Sequence, residues 1–257
     1  MNTPSSSTDS KARSSIMHGP SGLSVGARYI RDTMLKPAQE SYETVSDVVL
    51  RRIRDDIISG ELAPGAKIKL EQAKERYSIS VSSLREILNR LTTENLVVAE
   101  GQRGFEVSPA SGKELAELAD LRVVLETHAI ALSFAAGDLE WEGRIVAAHH
   151  KLATAEKTLL SGDASRTIDW VRYDWEFHQA IVSACNSSTL MTVLSSVFDR
   201  FLRYHMLARS FRGRAVVDDH RLLFQLALKR DIEGAQAAIR RHIQSGLDHV
   251  LNSGRIP

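Results

Sequence analysis

Apolar positions along this chain recur with helical spacing almost throughout, and the exception is one short region before residue 110. From Thr44, the stripe Val45, Val48, Val49, Ile53 and Ile57 predicts an amphipathic helix to Ser59, with Gly60 where a left-handed residue ends a helix. Pro64-Gly65 turns the chain. Leu70, Ala73 and Tyr77 then line a short second helix, Ile79 packs a tight turn, and Leu84, Ile87, Leu88 and Leu91 line a third. Helices joined by so short a turn cross steeply rather than lie antiparallel. Ser80 and Ser82 bracket the start of the third helix, where a hydroxyl can accept from an orphan backbone N–H. The period then changes. Val97 to Ala99 and Phe105 to Val107 read as strands around the tip Glu100-Gly101-Gln102-Arg103-Gly104. Helix, crossed helix pair and hairpin make a winged helix-turn-helix. Its third helix presents Ser80, Ser82, Ser83, Arg85 and Asn89 outward, and its wing carries Arg103-Gly104.

After the linker Ser108-Pro-Ala-Ser-Gly, the pair Ser111 and Glu114 has the S-x-x-E spacing of a capping box and opens a second domain. Its pattern is helical only, over roughly 112–136, 139–161, 164–185, 188–209, 215–230 and 232–251, with Gly137-Asp138, Gly162-Asp163, Asn186 and Asp231 as stops and caps. The expected fold is therefore mainly α: a winged helix-turn-helix over 43–109, then an all-α six-helix bundle over 110–251. Eight of the first 24 residues are Ser with little apolar periodicity, so 1–42 is expected to be a disordered tail.

The inner stripes of the bundle carry the chemistry. In the third bundle helix Val171, Trp175, His178 and Val182 share a face, and Asp174 lies one turn before His178. His220 sits on the stripe Val217, Phe224, Ala227, and His242 on the stripe Ala235, Ile239, Gly246, Val250. One inward histidine is most often a satisfied core residue. Three of them with an aspartate are costly unless they are hydrogen-bonded or share a cation. Asp-x-x-x-His on one helix is also a workable bidentate metal geometry. Arg122 occupies an inward position among Leu115, Leu118, Leu125, Ala129 and Leu132. It either pairs with Glu126, one turn on, or turns its planar fork toward a carboxylate in the bundle cavity. Arg172, Arg200, Arg203 and His205 are further candidates for that pocket, whereas His149-His150 read as surface or boundary residues.

Composition narrows the class. The chain has 257 residues, 43% hydrophobic and 25% charged, within the range of globular proteins. No apolar run approaches a membrane span, and the N-terminus lacks the apolar core of a signal peptide, so a cytoplasmic protein is expected. A single cysteine, Cys185, forms no internal disulfide and suits a reducing compartment. Charge does not by itself suggest nucleic acid. Residues 43–109 hold 10 Lys/Arg against 11 Asp/Glu, so a DNA-facing surface requires that the basic residues share one face.

The segments RRIRDDIISGELAPGAKI, SISVSSLREILNRLTTENLV and GQRGFEVSP resemble the DNA-binding domain of the GntR family of bacterial transcription regulators. The resemblance includes the connector Gly60, Leu62, Pro64, Gly65, the core Leu84-Arg85-Glu86 and the wing Gly104. The family often has Arg after the first Ser and Pro or Thr before Leu-Arg-Glu. Val81 and Ser83 stand there, so a base-contacting arginine is missing. Residues 111 to 250 resemble the FadR-type C-terminal domain (FCD) of the same family, through Asp120-Leu121-Arg122, Glu126, Asp174-Trp-Glu-Phe-His178, Asn186, His220 and His242. That resemblance implies that Asp174, His178, His220 and His242 hold a divalent metal, zinc first and nickel or manganese next. It also implies that Arg122 contacts the effector.

Two classes of function compete: a transcription regulator sensing a small organic acid, and a metalloenzyme. The second lacks an H-E-x-x-H or a nucleophile motif. The expectation is a homodimeric, operator-binding regulator, a repressor by family habit, with Ser80, Ser82, Ser83, Arg85, Arg103 and Gly104 facing double-stranded DNA.

Overall fold

The computed structural model describes residues 44–101, 104–208 and 211–256. The tail expected over 1–42 and the wing residue Arg103 lie outside them. Helix α1 (Val45–Ile58) starts with a reciprocal capping box. Asp47 N donates to Thr44 Oγ1 at 3.2 Å, and Thr44 N donates to the Asp47 carboxylate. Its buried face is narrower than the apolar stripe suggests. Val49, Leu50, Ile53 and Ile57 are buried, whereas Val45 and Val48 are exposed because the first turn extends past the core. Gly60 follows with φ of +81°, and a Cβ there would lie 3.1 Å from the Leu207 side chain, so both backbone and neighbour call for glycine.

Strand β1 (Lys67–Ile68), not apparent in the sequence pattern, leads into α2 (Leu70–Tyr77). Ser78, at φ of +52°, ends α2 in the left-handed conformation without a glycine. Helix α3 (Val81–Thr93) starts at Ser80, whose hydroxyl accepts from Ser83 N at 3.2 Å. Strands β2 (Val97–Ala99) and β3 (Phe105–Val107) pair antiparallel, with Val97 opposite Val107 and Ala99 opposite Phe105. Strand β1 adds to the other edge of β3, giving the order β1-β3-β2. One core built from Ile53, Ile57, Tyr77, Leu84, Ile87, Leu88, Leu91 and Val107 unites these elements. Leu88 is fully buried in it, and Leu88→Ala should cost about 2–5 kcal/mol. Urea unfolding followed by circular dichroism checks this, since all three tryptophans lie in the other domain.

The bundle contains α4 (Gly112–Ala136), α5 (Leu139–Leu160), α6 (Thr167–Val182), α7 (Ser188–Ala208), α8 (Arg214–Leu228) and α9 (Ile232–Asn252). The segment expected as one helix over 164–185 is a 3₁₀ turn, Ala164–Arg166, followed by α6. Asp163 caps Ser165 N and the Thr167 hydroxyl bonds the Ala164 carbonyl, which tightens that entry. Helices α5 and α6 pack together, and α9 and α7 both pack against α4. Leu132, expected inward on α4, is exposed. No helix among the described residues is long and apolar enough to cross a membrane.

The capping box expected at Ser111 is only half made. Ser111 Oγ accepts from Glu114 N at 3.2 Å, but the Glu114 carboxylate turns to α7 instead. There it pairs with Arg200 and accepts from Tyr204 OH at 2.6 Å. The Tyr204 hydroxyl in turn accepts from Ser111 N, and the buried Arg203 guanidinium donates to the Ser108 carbonyl. Helix α7 therefore grips the segment that joins the two domains.

Candidate metal centre and DNA-reading helix

Three helices bring four candidate ligands to one point. Asp174 and His178 come from α6, His220 from α8 and His242 from α9, and one ligand atom of each lies within 4.8 Å of the others. The three imidazoles are buried and their ring centroids are 4.9 to 6.0 Å apart. The apolar residues that share their stripes, Val171, Trp175, Val182, Val217, Ala227, Ile239 and Val250, are buried as well, so helical periodicity is what aims the ligands inward.

Each histidine meets a carboxylate at Nδ1. His178 faces Glu126 Oε2 at 3.1 Å, His220 faces Glu156 Oε1 at 2.6 Å, and His242 faces Asp219 Oδ2 at 3.4 Å. The Nε2 atoms of His178 and His220 are buried without a hydrogen-bond partner. His220 Nε2 does lie 2.9 Å from Asp174 Oδ1, but not in hydrogen-bond alignment, an approach that suits co-ligands of one cation. Burial works against a charge on His220, yet the carboxylates of Asp174 and Glu156 outweigh it and raise its pKa to about 9. Burial likewise opposes ionisation of Asp174, but His220, His178 and Arg122 hold its carboxyl well below the usual range. The His242 pKa is pushed down, by burial and by the Arg212 guanidinium. The donor set of three imidazoles and one carboxylate, with two ring nitrogens otherwise orphaned, fits a divalent cation.

A cavity of about 30 Å³ adjoins the cluster, lined by Arg122, Trp170, Asp174, His205, Arg212 and His242 among others. Arg122 pairs with Glu126, the first of its two sequence readings, and also lines the cavity. Its Nε donates to Glu126 Oε1 at 2.6 Å, and Nη2 lies equally close to that oxygen in the same ion pair. Its guanidinium lies 4.3 Å from the Phe198 ring centroid and 4.5 Å from that of Phe201, both on α7. Of the further pocket candidates, His205 alone lines the cavity, and burial takes its pKa down to about 3. Arg172 lies over Tyr173 at 4.4 Å, Arg200 pairs with Glu114 of α4, and Arg203 donates to the Ser108 carbonyl. His149 is half-buried, stacked on Phe224 at 4.1 Å, and His150 is exposed.

Sequence reasoning missed Glu156, Asp219 and Arg212. A carboxylate beside Ala148, Leu152 and Ala155 on the inner stripe of α5 was a readable signal for Glu156. Arg212, in the connector before α8, has no periodic context and could not be phased.

On the winged domain, Ser82 and Arg85 are exposed along α3 and Ser83 is half-buried. Ser80 Oγ lies 2.9 Å from Ser82 Oγ and 3.0 Å from Ser83 Oγ, so the three hydroxyls form one cluster at the helix N-terminus. Gly104, at φ of +114°, closes the hairpin by accepting from Glu100 N at 2.9 Å. Several of the acids counted in the sequence are paired with basic residues. Asp47 meets Arg90, Asp56 meets Arg76 and Glu94 meets Arg54, whereas Arg85 makes no ion pair among the described residues.

Comparison with known proteins agrees with this arrangement. Residues 45–107 match the bacterial regulatory proteins of the gntR family, and residues 117–245 match the FCD domain. The chain is 34% identical over 210 residues to the uncharacterized HTH-type transcriptional regulator BphR of Paraburkholderia xenovorans, covering 81% of this chain and 86% of that protein. It is 32% identical over 201 residues to the HTH-type transcriptional repressor GlaR of Escherichia coli, covering 75% and 90%. In fold it is similar to E. coli McbR/YncC, with a TM-score of 0.68 at 21% identity over 81% of this chain and 98% of that one. A putative GntR regulator from Rhodococcus sp. RHA1 gives 0.66 at 22% identity over 80% and 97%. With a winged helix-turn-helix joined to an FCD bundle, this chain belongs to the GntR family: it is a DNA-binding transcription regulator and not an enzyme.

Proposed function

We propose that this regulator is a repressor that senses a small organic acid through a divalent cation, zinc before nickel or manganese, held by Asp174, His178, His220 and His242. The observation that carries the reading is the meeting of four ligand atoms within 4.8 Å beside a cavity that two guanidinium groups, Arg122 and Arg212, also line. When bound, the cation would supply a Lewis-acidic centre for one carboxylate oxygen. Arg122, which lines the cavity, would meet the remainder of the acid or a second acid group. The cavity has room for about two waters, so an entering acid must displace wall side chains, and the wall includes Phe198 and Phe201 of α7. Because α7 also grips Ser108 and Ser111, such a displacement would reach the winged domain. A relative at 32% identity named a repressor supports the sign of regulation.

On the DNA side, the protein acts in the cytoplasm as a homodimer on a short inverted repeat, since one recognition helix reads a half-site. Ser80, Ser82 and Ser83 position α3, Arg85 reaches a base edge or phosphate, and Arg103-Gly104 places the wing. Arg85 is exposed, so Arg85→Ala should leave the fold intact while weakening operator binding by about 1–3 kcal/mol. Operator titration over a salt series measures this, and wild-type affinity in the variant would remove Arg85 from the interface. The sensing half is tested by a thermal-shift screen of small carboxylates on zinc-loaded protein. No shift from any of them, or an operator affinity indifferent to the best hit, would overturn it.

A further inference from the structure

Resting on the metal reading above, we propose that Glu126, Glu156 and Asp219 form an outer carboxylate shell that fixes the three imidazoles toward the cation, so that residues which never touch it set how tightly it binds. The three carboxylates share one placement. Three carboxylates from α4, α5 and α8 all meet the same ring nitrogen, Nδ1, and in His178 and His220 the opposite nitrogen is left buried without a partner. An imidazole whose Nδ1–H donates to a carboxylate is held in one tautomer and one ring orientation, with the Nε2 lone pair free to ligate, and its basicity rises.

Glu156 shows the role most plainly. Its side chain is buried on a stripe of Ala148, Leu152 and Ala155, a face that helical periodicity assigns to apolar residues. No lysine or arginine pairs with it, and His220 Nδ1 is its hydrogen-bond partner among the described residues. A buried carboxylate is costly unless its partner carries positive charge; His220 can do so as an imidazolium, and a cation on its far nitrogen would do so in its place. Glu126 divides its two oxygens between His178 and Arg122, so it holds a ligand and the anion-gripping arginine together. The His242 arm is looser. Asp219 stands 3.4 Å from Nδ1, and Arg212 Nη2 approaches the same atom at 3.2 Å. A guanidinium only donates, so it competes with the carboxylate for that face of the ring.

The test uses full-length protein and zinc alone, with affinity read by competition against a chromophoric chelator. Glu156→Gln, which keeps the volume and loses the charge, should bind zinc about 10–100-fold more weakly than wild type at a temperature where circular dichroism shows the metal-free variant folded. Asp219→Asn, at a partly exposed site with little risk to the fold, should change affinity in the same direction by less. Glu176→Gln removes an equal charge from α6, at a carboxylate paired with Lys151, and should bind as wild type does. Affinities of Glu156→Gln and Asp219→Asn within twofold of wild type would overturn the outer shell. So would an equal loss in Glu176→Gln, which would reduce the effect to net charge. Failure of the wild type itself to bind zinc would sink the metal reading and the outer shell with it, and is distinguished because no variant is then needed.

Discussion

Protein prepared without an affinity tag is expected to carry about one divalent cation per chain, and the His220→Ala/His242→Ala double variant close to none. The two histidines come from α8 and α9, so their loss leaves only Asp174 and His178 of α6, one turn apart on a single helix. Two ligands on one helix do not enclose an ion. Removing the cation from wild type should also lower its stability, because a ligand bound only by the folded state stabilises it by mass action. At a free concentration about 1,000 times the dissociation constant that amounts to about 4 kcal/mol, or a melting shift on the order of 10 °C for a chain of this size. Elemental analysis gives the stoichiometry, and calorimetry with and without chelator gives the shift. Operator binding by the double variant reports that the winged domain has survived. A stoichiometry near zero that added metal does not restore, with no shift on chelation, would leave the four residues as a hydrogen-bonded core.

Replacement of Arg122 is expected to abolish the effector response while operator binding persists, though not by simple deletion. Arg122 and Glu126 are both buried and paired at 2.6 Å, and Glu126 also holds His178. Burial raises the Glu126 carboxyl, but Arg122 and His178 more than offset it and hold its pKa below the ordinary value. Arg122→Ala would strand that carboxylate, and breaking one side of a buried pair costs about 3–5 kcal/mol. A drop of roughly 10 °C in melting temperature should therefore accompany the lost response. The paired variant Arg122→Met/Glu126→Gln removes both charges together and should recover most of that loss without recovering the response. Operator titration with and without the best carboxylate hit decides the matter. A paired variant that still releases DNA like wild type would take Arg122 out of the effector site.

The fold class and the inward aim of His178, His220 and His242 could be read from the chain alone. Local interactions determine them: a 3.6-residue apolar period, caps at Thr44, Ser80, Asp138 and Asp231, and a change to strand period around the wing. Periodicity tells which way a side chain faces but not what it meets across the core. That Glu126, Glu156 and Asp219 stand behind three different histidines depends on how α4, α5 and α8 cross, and nothing local to those residues encodes it. The same holds for β1, two residues long and too short to show alternation, which exists because β3 offers it a free edge. It holds again for Glu114. Its spacing from Ser111 signals a capping box, yet α7 supplies Arg200 and Tyr204, stronger partners than a backbone N–H at a half-exposed helix end. Local sequence determined the elements and their inner faces. Only their packing decided which charges meet, because an ion pair between helices is set by distances across the core that the spacing along any one helix does not contain.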